Sequence, residues 1–177
     1  SIQTQERNVS AFTKVATQGS TTIYIVQGAD FEVKAKGYAN LLPYLKTTVE
    51  NGVLSVRYEN TSNVRNDNSE VFITMPVLTG LSSGGSGDMH VTGEFSGNTN
   101  FDAHISGSAD ITVEKGSAEN FVLHSSGSGS FGSFGFTSQN ADIAISGSGE
   151  AKITVGQKLK VKINGSGSVY YKGNPAT

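Results

Sequence analysis

A short pattern recurs five times in the second half of the chain: Gly85-Ser86-Gly87, Gly107-Ser108-Ala109, Gly127-Ser128-Gly129, Gly147-Ser148-Gly149 and Gly165-Ser166-Gly167. The first glycines are 22, 20, 20 and 18 residues apart. A period near 20 belongs to stacked units, each too small to bury its apolar face without a neighbour.

The columns of the repeat give the shape of a unit. Six, four and two residues before the first glycine stand Phe101, Ala103 and Ile105; Phe121, Leu123 and Ser125; Ala141, Ile143 and Ile145; and Leu159, Val161 and Ile163. Four and six residues after it stand pairs such as Ile111 and Val113, Ala151 and Ile153, and Val169 and Tyr171. The parity does not break at the glycines, so one face of an extended chain stays apolar throughout. The glycines fall on that inward face, where a bend leaves no room for a side chain and where corner angles suit glycine. Each unit therefore reads as strand, tight corner, strand and looser turn. Equivalent strands pair in parallel about 4.8 Å apart, which makes an all-β parallel β-helix with about 20 residues per rung. Asn100, Asn120 and Asn140 share the period and predict a side-chain ladder at the looser turn.

The chain of 177 residues reads as a single β-helix domain, with an irregular N-terminal β region over 1–76 and the five glycine-serine rungs over 77–177. In the first part, strands are predicted over 21–26, 31–35, 53–58 and 70–75. The pair Asn51-Gly52 forms a turn before the third, and Pro76 stops the fourth. Residues 41–45 suit one helical turn, kept short by Pro43. Residues 60–69 are polar and read as a mobile loop, and the sequon Asn60-Thr61-Ser62 within them carries little weight. This half supplies irregular rungs or a cap, as the end of a solenoid requires.

Composition narrows the function. A net charge of −2 argues against nucleic acid or an anionic membrane as partner. The lack of Cys excludes disulfides and thiolate metal sites. No apolar run approaches the ~18 residues of a spanning helix. The outward columns are hydroxyl-rich: Ser106, Ser126 and Ser146 before the glycine, then Ser108, Ser128 and Ser148 after it, with Asp88, Asp110 and Glu150 at the margin. These columns, together with Asp110, His104 and His124, form the candidate ligand face. Serine at these positions also simply keeps the corner tight.

Two further clusters bear on chemistry. Asp102, His104 and His124 should meet on adjacent rungs, which is enough for a partial metal site but supplies no fourth ligand, since Ala144 follows in the column. No metal or cofactor is therefore assigned. Asp88 and Asp110 should be neighbours, and Asp102 and Asp142 should lie two rungs apart. That spacing suits a carboxylate pair of a polysaccharide-active enzyme, but surface positions give it no desolvating wall. No Arg follows Arg65, so a guanidinium clamp on the repeat is ruled out.

Several stretches together resemble the family of auto-transporter adhesins with a head GIN domain. They are Arg7-Asn8-Val9-Ser10-Ala11-Phe12-Thr13-Lys14-Val15, Leu54-Ser55-Val56 after Asn51-Gly52, the Ser-Gly-Ser-Gly runs, and the ending Gly165-Ser166-Gly167-Ser168-Val169-Tyr170-Tyr171-Lys172-Gly173-Asn174-Pro175. The resemblance implies a right-handed single-stranded β-helix and an exported adhesin of the bacterial cell envelope, at the outer-membrane surface or in the periplasm. Such proteins are often lipoproteins, and whether a signal or lipid anchor preceded Ser1 stays open. The expected function is non-catalytic binding of a glycan or a surface protein. A pectinase-like lyase or glycosidase and a plain structural spacer stand as alternatives, and the oligomeric state stays open.

Overall fold

The computed structural model describes residues 1–59, 64 and 67–177. Most of the loop expected over 60–69, with its sequon, lies outside the described residues. In the second half, alternation carries through the corners and produces long bent strands: β9 (Met89–Ile105), β10 (Ile111–Ser125), β11 (Ser130–Ile145), β12 (Glu150–Ile163) and β13 (Ser168–Lys172). They pair in parallel in that order. Ile111 lies beside Met89 and Phe131, Phe121 beside Phe101 and Ala141, and Ile145 beside Ile163. The stacked coils are a β-solenoid, as the period predicts. The looser turn is itself part of the ladder, interrupted by register shifts such as that between Gly132 and Thr137. Phe101, Phe121, Phe131 and Phe136 fill the axis with ring centroids 4.9–6.3 Å apart.

The first half adds rungs to the same sheet, out of sequence order. Its strands are β1 (Ile2–Arg7), β2 (Lys14–Thr17), β3 (Thr22–Gln27), β4 (Glu32–Tyr38), β5 (Leu45–Glu50), β6 (Val53–Tyr58), β7 (Glu70–Met75) and β8 (Gly80–Ser83). β2 lies in parallel between β6 and β8, and β3 in parallel between β7 and β9. The rung made by β6 and β7 is thus outside the rung made by β2 and β3, although it comes later in the chain. β1, β4 and β5 pair antiparallel and close that end. A 3-10 turn at Leu42–Tyr44 replaces the expected helical turn. Asn51 and Gly52 both have positive φ, +52° and +76°, the geometry of a tight hairpin between β5 and β6.

The glycine corners differ from expectation in their cause. Gly85, Gly107, Gly127 and Gly147 are not in the left-handed region; of the five first glycines Gly165 alone has a positive φ, +132°. A Cβ on Gly107, Gly127 or Gly147 would instead collide with the carbonyl oxygen of the first glycine one rung below. The same carbonyls accept the amides of the next corner: Ser108 N–H donates to Gly85 O and Ser128 N–H to Gly107 O, both at 3.2 Å. Close stacking of backbone on backbone, more than crowding toward the core, excludes the side chain. A sixth corner, Gly19-Ser20-Thr21, lies under Gly85-Ser86-Gly87: Gly19 O accepts the amides of Ser86 and Gly87. Its second glycine is replaced by Thr21 and it stands 66 residues upstream, so the repeat count misses it.

The last rung also departs from expectation. Leu159, Val161 and Ile163 hold the register of Ala141, Ile143 and Ile145. Leu159 is half-buried, with its amide donating to Thr177 O at 2.8 Å, but no rung covers Val161 and Ile163. Ile145 is 1% exposed while Ile163 is 37% and Tyr171 55% exposed. Parity gives the direction of a side chain, not whether something lies over it.

Two stability tests separate these causes. Ile145→Asp should cost at least ~4 kcal/mol by chemical denaturation, while its register partner Ile163→Asp should cost no more than ~1 kcal/mol. Equal losses would contradict the open end. Gly127→Ala should destabilise by about 1–3 kcal/mol and Ser148→Ala by less than ~0.5 kcal/mol. A neutral Gly127→Ala would show that the corner backbones have room to part.

Candidate binding face

The inward columns fix what points out between them. On the outer side of β9, β10, β11 and β12 the register places Asp102, Val122, Asp142 and Lys160 in one row, and His104, His124, Ala144 and Lys162 in the next. The second row continues across β8, β2 and β6 through Ser82, Ala16 and Ser55. It is therefore low on one side, rises at two imidazoles, drops at Ala144 and rises again at Lys162.

The two imidazoles stack with ring centroids 5.4 Å apart and planes 14° from parallel. Beside them, Asp102 receives Lys14 Nζ at 2.7 Å and lies 3.4 Å from His104 Nε2. Lys14 reaches over Gly80, whose missing side chain leaves the path open: a Cβ there would press on both the Lys14 stem and the Asp102 carboxylate. Lys14 is 88 residues from Asp102, and β2 is not among the strands expected from sequence, so this partner is invisible in the repeat. Among the described residues no group of three His, Asp or Glu side chains is arranged to hold a metal ion.

A groove of about 370 Å³ runs beside the imidazoles. It is lined by the row of His104, His124, Ala144 and Lys162 and by the row of Ser106, Ser126, Ser146 and Asn164, with Ile105, Ser125 and Ile145 between them. Five of the nine residues expected on the ligand face thus meet in one concavity. The other four do not line it. Ser108, Ser128 and Ser148 are exposed around the corner. Asp110 lies farther round: its carboxylate accepts the Ser130 amide at 3.1 Å and hydroxyl at 2.7 Å, and the Asp110 amide donates to Asp88 at 2.8 Å. Each aspartate thus ties down the start of the next rung. At the opposite edge of the face the asparagine ladder is present, with Asn120 donating to Asn100 at 3.2 Å and Asn140 to Asn120 at 3.1 Å.

The family model described as "putative auto-transporter adhesin, head GIN domain" matches residues 11–175. The chain belongs to this family. Among solved structures, a putative adhesin from Bacteroides fragilis is 20% identical over 97% of both chains, with a TM-score of 0.69. A putative adhesin from Parabacteroides distasonis is 17% identical over 97% of both chains, with a TM-score of 0.65. A protein named as putative lipid binding from the same species is 21% identical over 98% of this chain and 90% of its own, with a TM-score of 0.62. At such identity these likenesses carry the fold. No curated protein matches the chain.

Of the two-rung carboxylate pair, Asp142 is exposed and Asp102 is engaged by Lys14. Among the described residues no helix is long and apolar enough to cross a membrane.

The corner-serine column has a structural task at its first member. Ser20 donates to Asp67 at 2.6 Å, and the same carboxylate receives Tyr58 at 2.8 Å and the Ser69 amide and hydroxyl at 2.9 Å each. Burial alone would push the Asp67 carboxyl up, but these hydrogen bonds outweigh it and hold the group below its ordinary range. Burial, reinforced by the Asp67 charge and opposed by a contact with Ser69, pushes the Tyr58 phenol up to about 12. Asp67, depressed in the fold, contributes stability that is complete above its unfolded value near 3.9 and is lost as pH falls through the lower folded value. Tyr58, raised in the fold, contributes stability that is complete below about pH 10 and is lost as pH rises toward about 12. Unfolding free energy should therefore fall at both extremes. The difference curve against Tyr58→Phe should be flat from about pH 5 to 9 and change only above about pH 10. A flat difference up to pH 12 would contradict the burial of this phenol.

Proposed function

We propose that the chain is a non-catalytic, exported module of the bacterial cell envelope that holds a glycan in the groove beside the Ser106, Ser126 and Ser146 column. The observation that carries this reading is the meeting, in one concavity, of hydroxyls repeated at the strand spacing of about 4.8 Å with an apolar plate of two stacked imidazoles. Sugars present the same combination of hydroxyl edges and apolar C–H faces. Ligand sites generally pair a mostly apolar surface with a few fixed polar groups. The adhesin description of the family and of the Bacteroides and Parabacteroides neighbours supports a surface role.

The test is a glycan array followed by titration of the strongest binder. His124→Ala and the pair Ser126→Ala with Ser146→Ala should each weaken that binder at least 10-fold, while Ser128→Ala with Ser148→Ala should stay within two-fold. Affinity unchanged by His124→Ala would overturn the groove as the site. An array with no binder would leave the structural-spacer reading in its place.

A further inference from the structure

Resting on that reading of the groove, we infer that its ligand is an anionic glycan, a polymer bearing carboxylate or sulfate groups, with one sugar standing over Ala144 between His124 and Lys162. The register leaves a slot there. His124 and Lys162 flank Ala144 on neighbouring strands, about 9.6 Å apart across two strand spacings. One face of the His124 ring is covered by His104, and the other faces the Ala144 row. An imidazole plate, a methyl floor and an ammonium opposite make a space that suits a pyranose ring with one C–H face on the imidazole and a negative group toward the ammonium. Ser126, Ser146 and Asn164 lie within reach of its hydroxyls.

The sign of the charge comes from the neighbours. Lys158, Lys160 and Lys162 alternate along the outer face of β12, and a second groove of about 590 Å³ is lined by Lys158 and Lys160 together with Asn120, Asn140 and the single carboxylate of Asp142. Among the described residues the ion-paired cations are Lys14, Lys34 and Lys46, with His104 beside Asp102. Among the described residues none of Lys158, Lys160 and Lys162 has a carboxylate partner, not even Lys160, which is in register with Asp142. The same rows carry Asn140, Asp142 and Ala144 one rung earlier, so the positive charge is confined to this end of the face. The groove that holds the imidazoles contains no carboxylate in its lining. A second class of polyanion, nucleic acid, suits the site less well: the net charge is −2, three lysines neutralise few phosphates, and the slot accepts one ring rather than a run of stacked bases.

Binding of the full chain to polygalacturonate, heparin, neutral dextran and single-stranded DNA decides the question, measured at 50 and 300 mM salt. Either the carboxylated or the sulfated polymer is expected to bind, at least 10-fold more weakly at high salt. Combined Lys158→Gln, Lys160→Gln and Lys162→Gln should lower that affinity at least 10-fold. Lys152→Gln, which removes a charge from another face, should change it less than two-fold. Ala144→Phe should abolish binding by filling the slot, with an unchanged melting temperature showing that the fold is intact. A neutral glycan that binds, that His124→Ala weakens and that ignores the lysine changes would overturn the anionic inference and leave the groove as a glycan site. Equal binding of DNA, or of both polymers without loss in Ala144→Phe, would also overturn it. Failure of every glycan, here and on the array, would overturn both readings.

Discussion

The corner carbonyls set the geometry of everything else in this protein. Each first glycine lies against the carbonyl of the glycine beneath it, close enough that a methyl group would force the rungs apart. That contact recurs at every corner, fixes the rise along the axis and with it the register of the strands on both sides. A slip of one residue would turn the phenylalanines outward and the histidines inward. The apolar core then supplies the driving force, but it is indifferent to small shifts along the axis. The backbone stack is not indifferent, since its hydrogen bonds and its sterics are met at one spacing.

Registration of this kind converts a one-dimensional pattern into a surface. Residues 20 positions apart become neighbours about 4.8 Å away, so any column of the repeat is a row on the sheet. The histidine stack, the asparagine ladder and the aspartate-to-amide ladder are three products of that single rule. They differ in what they leave free. The aspartates and asparagines use their polar atoms on the next rung. The histidines meet each other through their faces; His104 turns its Nε2 toward Asp102, while His124 keeps its outer face toward the groove, and that is why the groove forms beside them rather than beside the aspartates.

The second half of this fold was legible because its period, its parity and its corner residues all repeat, and each is a local property of the chain. The meeting of Ser106, Ser126 and Ser146 with His104 and His124 followed from parity alone. The first half was not legible to the same depth. The rung of β6 and β7 stacks outside that of β2 and β3, so spatial order and chain order part company, and no sequence interval encodes the pairing of Lys14 with Asp102. The corner at Gly19 was hidden by a single substitution, Thr21 in place of the second glycine. Placing Ser108, Ser128, Ser148 and Asp110 on the same face as the histidines failed for another reason. Outward is one direction on a flat strand but several directions around a corner.

The open end joins the two themes. The terminal rung exposes the apolar side chains of Val161 and Ile163, which invites the edge of another sheet. Lysines at 158, 160 and 162 oppose that pairing by repelling a second copy of themselves and by carrying water along the edge. Edge protection therefore demands cations at the one rung that has no successor to neutralise them. Lys162 closes one end of the hydroxyl groove, so a device that keeps the solenoid from growing also leaves positive charge at the mouth of its concave face. The two roles need the same residues in the same places. They part only in what they ask of Ala144: edge protection is indifferent to its size, while a ligand standing on the groove floor is not.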